Sequence, residues 1–227
     1  MVRRVSGRVA LVTGATGAVG QALWPLLAAS GRYRQVVVLA RRPQEDLPAN
    51  VEWRAVDFER LADEPLPAVD DAFCALGTTM KRAGSREAFR KVDFEYVLAT
   101  GRAARAAGAT RFVLNSSVGA DPGTRNFYLK VKGEAEAALA ELGFTTLALV
   151  RPSLLLAERD ERRPGEEVAA ALAPLFNPLL RGGLSRYKAV DVETVARAML
   201  GAAQELPAGR HVLEHADILR LAGAVGG

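Results

Sequence analysis

The chain has 227 residues, of which 49% are hydrophobic and 25% are charged, a composition that supports one sizeable core and excludes a disordered chain. Its net charge is +4, but the basic residues are scattered and no aromatic residues interleave with them, which argues against a nucleic-acid-binding surface. The single cysteine, Cys74, excludes an intrachain disulfide and favours a reducing compartment. We predict one cytoplasmic domain over residues 1–227.

Membrane and metal partners are not expected either. The first apolar run, VALV, is too short for the core of a signal peptide, and no apolar stretch approaches the length of a membrane span. The two histidines, His211 and His215, lack a third candidate ligand, so we predict no zinc site. A small molecule is therefore the expected partner.

Short β-branched runs alternate with long helical patterns over the first two thirds of the chain. The predicted strands are RVALVTG, QVVVLA, VEWRAVDF, DAFCALG, RFVLNSS and TTLALVRP. One predicted helix ends near Ser30, one runs from about Ser85 to Ala107, and one from Tyr128 to Leu142. Alternating helices and near-continuous apolar strands predict a doubly wound α/β fold, in which helices cover both faces of a parallel sheet.

The pattern changes after Pro152. A charged loop, LLLAERDERRPGEE, precedes an apolar stretch that is broken by prolines, and DVETVARAMLGAAQE predicts an amphipathic helix. Ligands of parallel sheets bind beyond the carboxyl ends of the strands. We therefore predict that residues 153–190 form a cover on the substrate side of the same domain.

The stretch TGATGAVG follows the first predicted strand and opens the first helix. Gly14 suits a tight turn, Gly17 a close approach of the backbone to a pyrophosphate, and Gly20 close packing of the helix on the strand. The free N–H groups at the start of the helix would face the phosphates. The context predicts a dinucleotide-binding loop, and the alternative is a glycine-rich turn without a ligand.

Arg41 and Arg42 follow the second predicted strand. An NAD-binding unit usually carries an acidic residue there, which accepts a hydrogen bond from the ribose 2′-hydroxyl. Two guanidinium groups instead suit a 2′-phosphate by charge and by geometry. The pair predicts NADPH/NADP+ as the cofactor, although a solvated arginine pair would have the same sequence.

Two more loops belong to the same predicted edge of the sheet. Asp57 ends the third strand pattern, where the adenine would lie, and Leu76, Gly77 and Thr78 follow the fourth. Each could also be an ordinary turn at the end of a strand, but together they follow the expected path of a dinucleotide.

Tyr128 and Lys132 are four residues apart on the same predicted helix, so both side chains lie on one face. The preceding strand pattern ends at Ser116 and Ser117. A hydroxyl, a phenol and an ammonium can therefore converge beyond the carboxyl ends of the strands. A surface tyrosine and lysine without a role is the alternative.

These motifs resemble, in chain order, the Tat-interacting-protein family of NADPH-binding oxidoreductase-like proteins, which are atypical short-chain dehydrogenase/reductases. The similar segments are GATGAVG, ARR, VDF, CALGTT, NSSVGAD, FYLKVKGEAEA and RPGE, and they span nearly the whole chain. The resemblance implies Ser117, Tyr128 and Lys132 as the catalytic set, with Ser117 preferred to Ser116. It also implies nucleotide contacts from the segment Thr16, Gly17, Ala18 and Val19, from Tyr128 and Lys132, and from Leu155 and Arg163.

One position departs from the wider superfamily, because Asp93 stands where many relatives carry a relay asparagine. Otherwise the residue types suit hydride-transfer chemistry. Lys132 would bond the nicotinamide ribose and favour ionisation of the phenol, Tyr128 would act as general acid or base, and Ser117 would orient the substrate oxygen. The sequence thus favours an NADPH-dependent oxidoreductase that acts on a small carbonyl or alcohol. The alternative is an NADPH-binding regulator of a protein partner with little turnover, and a nucleotide-sugar epimerase is disfavoured by the short tail.

Overall fold

The structure is a computed structural model that describes residues 7–153, 155–156 and 189–225. Arg163 and most of the predicted cover at residues 153–190 lie outside the described residues. Of the predicted contacts in that region, Leu155 belongs to a described strand.

Within these ranges, seven strands form one parallel sheet in the order β3-β2-β1-β4-β5-β6-β9. A second sheet pairs β7 with β8. The strands are β1 (Arg8–Thr13), β2 (Tyr33–Ala40), β3 (Val51–Ala55), β4 (Asp71–Cys74), β5 (Arg111–Asn115), β6 (Thr146–Val150), β7 (Leu155–Leu156), β8 (Val190–Asp191) and β9 (Gly209–Leu213). We call the edge where the parallel strands end the carboxyl edge.

Helices pack on both faces of the large sheet. They are α1 (Ala18–Ala29), α2 (Met80–Ala83), α3 (Arg86–Arg90), α4 (Tyr96–Ala106), α5 (Phe127–Ala140), α6 (Val192–Glu205) and α7 (His215–Ala224), with a 3-10 helix at Phe58–Asp63 and a π-helical turn at Lys91–Glu95. The π turn joins α3 to α4, so a helical segment runs from Arg86 to Ala106. The sequence predicted this segment without its π turn.

Alternation along the strands divides the core into two layers. Phe112 and Leu114 of β5 pack with α4 and α5, whereas Val113 between them packs on the opposite side with α1, α6 and α7. Successive side chains of a strand point to opposite faces, so the five inner strands β1, β2, β4, β5 and β6 each contribute to both layers. The predicted doubly wound α/β fold is confirmed.

Some boundaries differ from the prediction. The fifth strand ends at Asn115, so Ser116 and Ser117 begin the following loop instead of ending the strand. The sequence analysis also did not predict β9 and α7. β9 is the last strand of the sheet order, and most of its residues are exposed, so it lacks the apolar run of a central strand.

Candidate functional site

The glycine loop joins β1 to α1 at the carboxyl edge. Gly14 has a φ of +80°, and a Cβ atom there would lie 2.3 Å from the carbonyl carbon of Ala75. A Cβ atom at Gly20 would lie 2.0 Å from the carbonyl oxygen of Gly14. Only glycine fits either distance, because real Cβ atoms do not approach backbone atoms so closely. The loop therefore packs tightly on the loop after β4 and on its own helix.

The start of α1 is open to a ligand. Gly17 occupies the N-cap position, and no side chain caps the helix. Thr16 is exposed, Ala18 is half-buried and Val19 is buried. The first N–H groups of a helix bind anions readily. The loop therefore presents the kind of donors that the pyrophosphate of a dinucleotide would require.

Arg41 and Arg42 follow β2 directly, and both are exposed. The indole Nε1 of Trp53 on β3 donates a hydrogen bond of 2.8 Å to the carbonyl oxygen of Arg42. Trp53 also packs edge-on against Trp24 of α1, with ring centroids 6.0 Å apart. The arginine pair thus stands beside the glycine loop on a turn that two aromatic residues support.

The other predicted nucleotide contacts lie in the loops after β3 and β4. Asp57 is exposed and caps the 3-10 helix, since its Oδ1 accepts a hydrogen bond of 2.9 Å from the N–H of Glu59. Gly77 is exposed, whereas Leu76 and Thr78 are half-buried. All these loops leave the sheet at the carboxyl edge, because the strands are parallel.

Tyr128 is the second residue of α5, whose first turn is capped by Asn126. Its ring packs against Phe89 of α3, with centroids 5.6 Å apart. Lys132 follows one turn later and is only 5% exposed. Its Nζ forms an ion pair of 2.8 Å with Oδ1 of Asp93.

The ammonium of Lys132 is held in its charged form. Burial disfavours the charge, but the Asp93 carboxylate and, to a smaller extent, the nearby Tyr128 phenol outweigh this effect and raise the pKa of Lys132 above its usual value. A cation is therefore fixed one helical turn from Tyr128 at neutral and alkaline pH.

Ser116 and Ser117 are adjacent in the chain but differ in their hydrogen-bond partners. The hydroxyl of Ser116 is buried and donates a hydrogen bond of 2.6 Å to Oε1 of Glu136. The half-buried hydroxyl of Ser117 donates only a longer bond of 3.3 Å to the carbonyl oxygen of Val118. Of the two, Ser117 has the hydroxyl that a substrate could engage.

The sequence did not predict a buried cluster that Ser116 forms with Glu136 and Arg151. Glu136 is 1% exposed and accepts from Ser116 and from Nε of Arg151, the latter at 2.9 Å. A second guanidinium nitrogen of Arg151 pairs with its other oxygen. Tyr128, Lys132 and Glu136 recur at intervals of four along α5, so the spacing carried a signal that could have identified Glu136.

Several known proteins are similar to this chain in sequence. A family model described as NAD(P)H-binding matches residues 14–205. Protein HTATIP2 of Rattus norvegicus is 39% identical over 225 residues, which cover 96% of this chain and 90% of that protein. Protein FMP52, mitochondrial, of Debaryomyces hansenii is 30% identical over 201 residues, with 86% and 88% covered.

Solved structures with the same architecture are more distant in sequence. MoeE5 in complex with UDP-glucose and NAD superposes with a TM-score of 0.66 at 20% identity, over 97% of this chain and 82% of that one. UDP-N-acetylglucosamine 4-epimerase from Bacillus cereus has a TM-score of 0.67 at 16% identity, over 94% and 84%. At such identities the likeness shows the fold alone.

The names of some relatives do not fit the predicted cytoplasmic location. Several fungal relatives carry the word mitochondrial in their names, which does not agree with a plain cytoplasmic location. In the described part of the chain, no helix combines the length and the apolar character of a membrane span.

Proposed function

We propose an oxidoreductase function for this chain, which belongs to the NAD(P)H-binding family of atypical short-chain dehydrogenase/reductases and is related to HTATIP2. The proposed cofactor is NADPH. The reaction is hydride transfer to or from a small carbonyl or alcohol. The observation that carries the proposal is the buried, charged Lys132 one turn from Tyr128, in a chain whose first helix begins at a glycine loop without a side-chain cap.

Each of the three side chains has a distinct role in this reaction. Lys132 donates hydrogen bonds to the ribose and favours the ionised phenol. Tyr128 gives a proton to the substrate oxygen during reduction and accepts it during oxidation. Ser117 donates to the same oxygen and stabilises the charge that develops there. NADPH, when bound, supplies the hydride.

The preference for NADPH over NADH rests on Arg41 and Arg42. Both guanidinium groups are exposed at the end of β2, where an acidic residue would favour NADH. A dianionic 2′-phosphate can form charge-assisted, bidentate hydrogen bonds with such a pair. NADH offers only a neutral hydroxyl at this position and would bind more weakly.

The first experiment compares NADPH and NADH in fluorescence titrations of the wild-type protein and of Arg41→Ala/Arg42→Ala. Loss of charge-assisted bonds should weaken NADPH by about tenfold or more and leave NADH nearly unchanged. Arg102→Ala/Arg105→Ala is the matched control, because these arginines are exposed on α4 and the variant loses the same charge.

Either of two results would contradict the nucleotide preference. Equal affinities of the wild-type protein for NADPH and NADH would show that the arginine pair does not select the cofactor. An equal loss of NADPH affinity in the Arg102/Arg105 control would attribute the effect to net charge. Failure to bind either dinucleotide would overturn the proposed function altogether.

The second experiment tests Tyr128 as the acid/base with a panel of small aldehydes and ketones. Tyr128→Phe should lower kcat/KM by about a hundredfold or more, since general acid catalysis contributes at least that much. NADPH should still bind. Tyr96→Phe is the control, because Tyr96 lies on α4 and its hydroxyl makes only a 3.4 Å contact with Glu59.

The two kinds of failure have different meanings. If Tyr128→Phe reduces the panel as fast as the wild-type protein, Tyr128 is not the acid. If the wild-type protein binds NADPH but turns over no member of the panel, the result favours the regulatory alternative, in which the bound cofactor controls a protein partner.

A further inference from the structure

We infer that Asp93 is a positioning residue of the NADPH site, which holds the ammonium of Lys132 beneath the loop after β4. The inference rests on the proposed function. It assigns a role to a side chain that acts on the cofactor indirectly, chiefly through Lys132.

The first observation is the local helix geometry around Asp93. The residue lies in the π-helical turn between α3 and α4, and it is the buried residue of that turn. A π turn inserts an extra residue into a helix and changes the direction in which its side chains point, and such turns are frequent at functional sites. Here the turn places a carboxylate that is 1% exposed against the loop after β4 and against α5.

The second observation is that Asp93 joins two parts of the site. Its Oδ2 accepts a hydrogen bond of 2.8 Å from the N–H of Thr78. Its Oδ1 forms the 2.8 Å ion pair with Lys132. One carboxylate therefore ties the loop on the predicted dinucleotide path to the helix that carries Tyr128 and Lys132.

The third observation is the position of Gly77 above this ion pair. A Cβ atom at Gly77 would lie 3.5 Å from both Oδ1 of Asp93 and Nζ of Lys132. Because glycine has no side chain, nothing from this position covers the ammonium. Among the described residues, Asp93 is the carboxylate partner of Nζ, so other hydrogens of the ammonium can donate to a ligand hydroxyl.

The physical cost of the arrangement also indicates a role beyond stability. A buried ion pair stabilises a fold no better, in many cases, than an apolar pair of the same volume, because both charges lose their hydration. The nearby Cys74 does not compete for the ammonium, since burial raises the pKa of its thiol. The pair instead provides a charged donor in one fixed position.

The test is a double-mutant cycle in which NADPH binding is measured by fluorescence titration. Asp93→Asn keeps an acceptor for Thr78 and removes the charge. We expect it to weaken NADPH by about tenfold. In a Lys132→Met background the same change should not weaken NADPH at all, because Asp93 acts through Lys132. Asp63→Asn, at an exposed side chain, controls for net charge.

A pH series supplies a second measurement that needs only Asp93→Asn. The titratable groups that act on Lys132 are Asp93 in the π turn, Tyr128 on α5 and Cys74 on β4. Without the carboxylate, burial lowers the pKa of Lys132. The NADPH affinity of Asp93→Asn should therefore fall as the pH rises from about 7 to 9, whereas that of the wild-type protein should follow a flatter profile.

Asp93→Glu covers the case in which Asp93→Asn does not fold. It keeps the charge but displaces the ammonium, so it should also weaken NADPH, and it should do so more strongly in the wild-type background than in the Lys132→Met background. The inference is overturned if these variants bind NADPH like the wild-type protein, or if they lose the same affinity with and without Lys132. A wild-type protein that binds no NADPH would overturn the proposed function first.

Discussion

The two adjacent serines after β5 show how neighbouring residues of one type acquire different roles. Ser116 is buried and bonded to Glu136, whose carboxylate also pairs with Arg151. Ser117 is half-buried, and its hydroxyl makes one long bond to a neighbouring carbonyl group. A hydroxyl that is already committed to a buried carboxylate cannot reorient toward a substrate without loss of stability. Ser116 therefore supports the fold, and Ser117 remains the candidate for chemistry.

This difference predicts opposite effects of two alanine substitutions. Ser116→Ala removes a donor from the buried Glu136, so it should lower the free energy of unfolding by about 1–3 kcal/mol. Ser117→Ala should change it by less than about 0.5 kcal/mol and should instead reduce turnover. Urea unfolding curves of the two variants provide the measurement. Equal losses of stability would contradict the assignment.

At the level of elements, close packing of α1 on the glycine loop determines where the cofactor can bind. Gly20 lies in α1 with no space for a Cβ atom, whereas Gly223 lies in α7 with nothing within 4 Å of such an atom. Both are glycines inside helices. Their different surroundings allow the contribution of packing to be separated from that of helix propensity.

The same substitution should therefore have opposite signs at the two sites. Gly20→Ala forces α1 away from the loop and should lower the free energy of unfolding by about 1–3 kcal/mol, with weaker NADPH binding. Gly223→Ala should raise it by up to about 0.5–1 kcal/mol, because alanine is the better helix former. Thermal or urea unfolding of both variants measures this. Stabilisation by Gly20→Ala would refute the close packing.

Across the whole molecule, the two edges of the sheet carry buried carboxylates in different surroundings. At the amino edge, where the parallel strands begin, Asp71 of β4 accepts hydrogen bonds of 2.6 and 2.9 Å from Arg8 and one of 2.8 Å from Tyr33. Burial, and then the charge of Asp71, raise the pKa of Tyr33, so its phenol remains a neutral donor. At the carboxyl edge, Asp93 leaves hydrogens of Lys132 available. The amino-edge cluster is therefore structural, and the carboxyl-edge cluster can bind a ligand.

Local spacing explains how much the sequence could predict. Alternating strands and helices specified the sheet class, and the glycine loop was recognised because its three glycines follow one strand and open one helix. Tyr128 and Lys132 were paired for the same reason, since helix geometry alone brings residues four apart to one face. The resemblance added the preference for Ser117, and the hydrogen bonds of Ser116 now support that preference on physical grounds.

Contacts between distant segments were decided only by the tertiary structure. The sequence singled out Asp93 but could not show its partner, because Lys132 meets it only when the π turn packs against α5. Glu136, Ser116 and Arg151 are brought together in the same way by α5 and the segments that follow β5 and β6. β9 lacks a recognisable pattern because most of its residues are exposed. Local periodicity is set by backbone geometry within one segment, whereas the partner of a buried charge depends on how segments pack.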